Sequence, residues 1–187
     1  SAYVKSCVIG ALNALSRTPA CARAMRPLGV AAVLEDAVRE KTPADFNPQQ
    51  KERHKATCAI AGMALSNLKK AGGKEDSKAL VLEKWVATTV VRICSSAVDG
   101  VEYGGVRFRL SAALYSLPNL VESRDNVATM VDKGLVELLL AIVKDSAQQE
   151  QGDVELALRA LVLMGRSEKG CLQRMNLFKA AQTLGEL

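Results

Sequence analysis

Leu110, Ala113, Leu114 and Leu117 fall at i, i+3, i+4 and i+7. That spacing gathers them on one face of an α-helix. The chain's long helical segments share the pattern, and each keeps more apolar surface than one neighbour can cover. Stacking successive units hides that surface in a continuous core.

A five-residue signature marks the units. Ala11-Leu12-Asn13-Ala14-Leu15 returns as Ala64-Leu65-Ser66-Asn67-Leu68, as Ser116-Leu117-Pro118-Asn119-Leu120, and as Ala157-Leu158-Arg159-Ala160-Leu161. The final leucines, at positions 15, 68, 120 and 161, stand 53, 52 and 41 residues apart. Helical repeats of two or three helices run to about 40–47 residues, so the two longer intervals carry insertions. In the first and third units a glycine, Gly29 or Gly134, stands 14 residues beyond the last leucine and leads into an apolar helix. Each unit therefore reads as a long helix, a short helix, a glycine bend and a second long helix. Glycine suits the bend because it accepts positive φ and lets two helices meet closely.

Four stretches interrupt the pattern: residues 41–50, 71–76, 99–105 and 148–152. The first reads as an exposed loop because Pro43 and Pro48 bar a helix. The last reads as a polar hinge. None has the make-up of a linker between independent domains, so residues 1–187 form one domain, with units at about 3–40, 51–98, 106–146 and 153–187.

Composition narrows the class. Apolar residues make up 49% of the chain and aromatics 4%, so the core is built from Leu, Ala and Val, which favours packed helices over a β-sandwich. The net charge of +5 is compatible with an acidic partner without requiring one. Nucleic-acid binding is disfavoured, since the few aromatics make poor stacking platforms. Cys7, Cys21, Cys58, Cys94 and Cys171 are scattered among apolar residues, without C-x-x-C spacing. They read as small buried hydrophobes in a reducing compartment, the cytoplasm or nucleus. No apolar run approaches the ~20 residues of a membrane span. The opening residues lack the design of a signal peptide and drop straight into a helical pattern, the mark of a fragment of a longer chain.

The stretch from Leu117 to Val143 resembles one armadillo repeat, with Asn119, Asn126 and Gly134 at the pattern's positions and Asn67 matching the first of them in the preceding unit. The resemblance covers nearly the whole chain. It implies an all-α, right-handed superhelix (α-solenoid) of about four armadillo-type repeats, truncated at both ends. The second unit lacks the bend glycine, and the fourth has Asn176 one residue late. A HEAT-like or mixed solenoid stays open on those grounds.

The resemblance also implies a site. In armadillo proteins of the nuclear-import adaptor and catenin type, the third helix of each unit lines a concave groove, where the signature asparagine bonds the backbone of an extended peptide. Asn67 and Asn119 would do so here, with Met63 and Tyr115 one turn earlier supplying apolar contact. A primary amide offers donor and acceptor together and so matches one peptide unit. The competing reading is that the asparagines tie neighbouring helices together. Ala14 and Ala160 replace the asparagine in the outer units.

Other candidates point to no chemistry. Lys51, Arg53, Lys55, Lys69 and Lys70 could receive an acidic segment or form a solvated face. Arg107 and Arg109 open the third unit's long helix, with Phe108 between them in the core. Trp85 reads as packed between repeats. His54 and Cys58 lie four apart on a helix, but no acid or second histidine joins them in sequence, so no metal site is expected. Gly72-Gly73-Lys74 lacks the spacing of a phosphate loop, and with one histidine there is little to build acid–base catalysis on. The sequence therefore predicts a non-enzymatic scaffold without cofactor or small-molecule substrate, which binds a protein or peptide on its concave face. The alternatives are a structural segment packed against its own longer chain, and electrostatic binding to RNA or acidic surfaces.

Overall fold

Five of this chain's helices begin where the sequence supplies a proline, a capping side chain or a left-handed glycine. The computed structural model describes residues 2–72 and 79–167, and within them the fold is all-α apart from one short hairpin. Helix α1 spans Ala2–Ser16, and α2, Pro19–Met25, starts on a proline. Gly29, at φ +71°, turns the chain into α3, Val30–Arg39. Gly134, at φ +85°, does the same for α9, Leu135–Lys144, which follows α8, Arg124–Asp132. The equal spacing of these glycines in the sequence thus marks one bend made twice. Both sit in the left-handed region that side chains with a Cβ avoid.

The stretch 41–50 does not behave as one loop. Asn47 accepts from the Gln50 backbone N–H while the Gln50 side chain accepts from the Asn47 backbone, and Pro48 occupies the first helical position. A proline there starts a helix rather than barring it, since its missing N–H has no partner to lose. Helix α4, Pro48–Ala71, follows, and every residue from Ala56 to Leu68 is buried. A helix covered all round needs neighbours on each side. It packs against α1, α2 and α3, against α5 (Lys84–Val98), and against α7 (Leu117–Leu120).

The expected third long helix is broken. It runs as α6, Leu110–Leu114, then α7, because Pro118 has no N–H for the Leu114 carbonyl and its ring crowds that carbonyl. Helix α10, Gln151–Ser167, begins inside the stretch predicted as a hinge. Helices α1, α4, α6–α7 and α10 lie side by side in chain order, while α3, α5 and α9 pack against that row.

Residues 99–105, predicted as a loop, contain half of a hairpin. Strand β1, Glu102–Tyr103, pairs antiparallel with β2, Val106–Arg107, across Gly104 and Gly105, both at positive φ. Two left-handed residues make the tight turn whose twist matches paired strands. Arg107 is therefore in a strand and Arg109 caps α6; neither belongs to a long helix. Phe108 packs partly buried against the core, as does Trp85, whose Nε1 donates to Glu83 Oε2 at 2.7 Å. Among the described residues no helix is long and apolar enough to cross a membrane.

Cysteine burial is uneven. Cys58 and Cys94 are buried, as a small hydrophobe would be, whereas Cys21 is half-buried and Cys7 is exposed. Cys7 faces outward because α1 has apolar neighbours on only part of its surface. Cys171 and Asn176 lie outside the described residues. Burial, reinforced at Cys58 by the Glu40 carboxylate, pushes both buried thiols up to about 12. Their folded values exceed the unfolded one, so this contribution to stability is intact below about pH 8 and is lost as the pH rises toward 12. A thiol reagent on native protein at pH 8 is expected to modify Cys7 quickly and leave Cys58 and Cys94 for the denatured state. Rapid labelling of either on peptide mapping would contradict the packing.

Candidate functional site

Asn67 sits deep on α4, 4% exposed. Its amide nitrogen donates to Ser16 Oγ at 3.0 Å and Ser116 Oγ at 3.1 Å, and its oxygen accepts from Asn119 Nδ2 at 3.0 Å. One amide thus joins the end of α1, the body of α4 and the start of α7. With both hydrogens engaged, Asn67 has no donor left for a ligand, and its main task is to tie three helices together. Asn119 is half-buried, and its carbonyl oxygen and second amide hydrogen are not used in this network.

Asn67, Asn119 and Tyr115 line one cavity of about 340 Å³, together with Leu156 of α10. Three of the four residues singled out in the sequence are therefore brought together. The fourth, Met63, is 0% exposed and lies in the core, so the expected groove contact there is corrected. A helix buried on every side has no face that its period can label as the outer one. Sequence reasoning singled out Lys70 but missed Ser16 and Ser116, whose only signal is a small hydroxyl among apolar neighbours, and the cations Arg23 and Arg159. Arg23, Lys70 and Arg159 line it, and among the described residues no carboxylate does. By contrast, the hollow beside Trp85, about 810 Å³, mixes Lys84 and Lys133 with Glu83, Asp125 and Asp132 and so carries both signs of charge.

Asn126 resembles Asn67 in being wholly enclosed. Its oxygen accepts from Leu82 N–H at 2.8 Å, and its nitrogen donates to the carbonyls of Leu80 (2.7 Å) and Leu120 (2.9 Å). It pins the extended segment 79–83 where the second unit lacks its bend glycine.

An acid does join His54 and Cys58, contrary to expectation. His54 Nδ1 lies 3.8 Å from Glu40 Oε2, and Nε2 lies 3.6 Å from Cys58 Sγ and 3.2 Å from the Glu40 carbonyl oxygen. The loop 41–47 folds Glu40 back onto α4, a proximity with no local sequence signal. The three potential ligand atoms lie within 4.8 Å of one another. All three are already engaged: Lys5 holds the carboxylate at 2.5 Å, and the ring nitrogens face different partners. Glu40 follows the last residue of α3, so the cluster closes the carbonyl end of that helix.

No family model, curated protein or solved structure matches this chain.

Proposed function

We propose that this chain is a right-handed α-solenoid of armadillo-type repeats that binds an extended segment of another protein along the row formed by α1, α4, α6–α7 and α10. The ordered adjacency of those helices, with α3, α5 and α9 packed on them, supports the solenoid, as do the matched bends at Gly29 and Gly134. The observation that carries the binding reading is the cavity at Asn119. Side chains from α1, α4, α7 and α10 converge there, and a half-buried amide and a tyrosine supply polar and apolar contact. Concave sites with a few convergent polar groups are where ligands bind. Buried free thiols at Cys58 and Cys94 support residence in a reducing compartment.

Asn67 is unsuitable as a test, since its loss would loosen the fold. Tyr115→Ala and Asn119→Ala are better probes. Peptides selected from a displayed 12-residue library on the native chain are expected to bind each variant about tenfold more weakly, about 1.4 kcal/mol. Circular-dichroism melts check that both variants stay folded. Selected peptides that bind wild type and both folded variants equally, or a library that yields no binder, would sink the groove. The chain would then read as a structural segment packed against its own longer sequence.

A further inference from the structure

We propose that the segment this groove takes is acidic, and that its carboxylates are held in a second hollow beyond Asn67, beneath the hairpin. This rests on the groove reading above and adds the chemistry of the partner. The second hollow, about 400 Å³, is formed by Asn13 of α1, Arg17 in the turn just after it, Ile60 of α4, and Arg107 and Arg109 where the hairpin passes into α6. It adjoins the Asn119 cavity along three elements: Ser16 ends α1 and Arg17 follows it, Ile60 and Asn67 lie on α4, and Ser111 lies in α6, which Tyr115 caps. At a rise of 1.5 Å per residue, Ile60 and Asn67 are about 10 Å apart along α4. About three residues of extended chain bridge that gap.

Charge decides what such a chain carries. The two hollows are lined by Arg17, Arg107 and Arg109 at one end and by Arg23, Lys70 and Arg159 at the other, with no Asp or Glu lining either among the described residues. Part of this is already matched. Lys70 pairs with Glu122 at 2.6 Å, and Arg107 stands across the ladder from Glu102. Arg17, Arg109, Arg23 and Arg159 carry the excess.

The second observation is one of unmet hydrogen bonds. Asn13 is 7% exposed and its side-chain oxygen has no partner among the described residues; the buried Nε of Arg17, in the turn just past the end of α1, has none there either. Such atoms are costly to leave alone. One wants a donor and the other an acceptor. A single acidic residue of an extended peptide offers both, its backbone N–H for Asn13 and its carboxylate for Arg17. Guanidinium groups suit carboxylates because their forked N–H groups match the two oxygens.

The test uses the 12-residue display selection on the full chain, followed by anisotropy with fluorescein-labelled synthetic copies of the clones. Asp and Glu are expected to be enriched. Replacing them by Asn and Gln, or using Arg17→Gln or the exposed Arg109→Gln, is expected to weaken binding about tenfold. Raising the salt from 50 to 300 mM is expected to weaken wild-type binding and to affect the two variants less, since screened surface charge is what they lack. Clones without acidic enrichment that still depend on Tyr115 and Asn119 would overturn the acidic partner and leave the groove standing. Clones indifferent to every groove variant would overturn both. A labelled 12-nucleotide single-stranded RNA that binds more tightly than any acidic clone would overturn the peptide in favour of nucleic acid.

Discussion

Asn126→Ala is expected to destabilise the fold by about 3 kcal/mol or more, read as a drop in the urea midpoint at unchanged slope. The side chain is wholly buried and makes three hydrogen bonds, each to backbone. Alanine removes one partner from Leu82 N–H and from two carbonyls at once, and groups left buried without partners each cost about 1–3 kcal/mol. Asn126→Asp is the sharper companion. It keeps the acceptor for Leu82 but turns oxygen toward the carbonyls of Leu80 and Leu120, so it is expected to destabilise comparably. A loss below about 1 kcal/mol in both would mean that water enters and replaces the amide.

Gly104→Ala is expected to rank second, at about 2–4 kcal/mol, because two penalties coincide. An L-residue in the left-handed region costs about 1–2 kcal/mol, and Gly104 has φ +60°. A Cβ there would also stand 2.7 Å from the Ala56 Cβ, 3.1 Å from the Glu52 carbonyl oxygen and 3.2 Å from the Arg53 Cα. Backbone cannot yield as a side-chain tip can, so the hairpin must lift off α4. Gly105→Ala separates the two penalties: its φ is +78°, but the new atom meets only the Arg53 side chain. The hairpin's departure has its own readout. Burial, and then the hydrogen bond that Tyr103 donates to Glu52 at 2.7 Å, raise the Tyr103 hydroxyl above the ordinary tyrosine value. In Gly104→Ala its ultraviolet titration is expected to move down in pH, whereas in Gly105→Ala it should stay high. Equal stability losses in the two variants, with no change in titration, would mean the hairpin is not held against α4.

What could be read from the sequence was what local rules determine. Period-3.6 apolar spacing gave the helices, and positive φ explains why Gly29 and Gly134 recur at one spacing. Tyr115 and Asn119 were placed beside a shared cavity because repetition carries information about equivalent positions. The misses share a different cause. The partners of Asn67 are 51, 49 and 52 residues away, and the Glu40 carboxylate reaches His54 only because a loop folds back. Strands of two residues around a Gly-Gly pair have no period to detect. Pro118 stood in plain view inside the signature, and the repeat argued for continuity where ring geometry imposes a break.

The enclosure of α4 also has a mechanical meaning. With Ala56 to Leu68 gripped on every side, this helix cannot tilt or bend without disturbing all its neighbours at once. Interiors packed to native density switch between arrangements rather than deform smoothly. Any widening of the proposed groove would therefore come from its walls, by α1 or α6–α7 sliding along a fixed floor. The break at Pro118 leaves one wall jointed and the other a continuous rod.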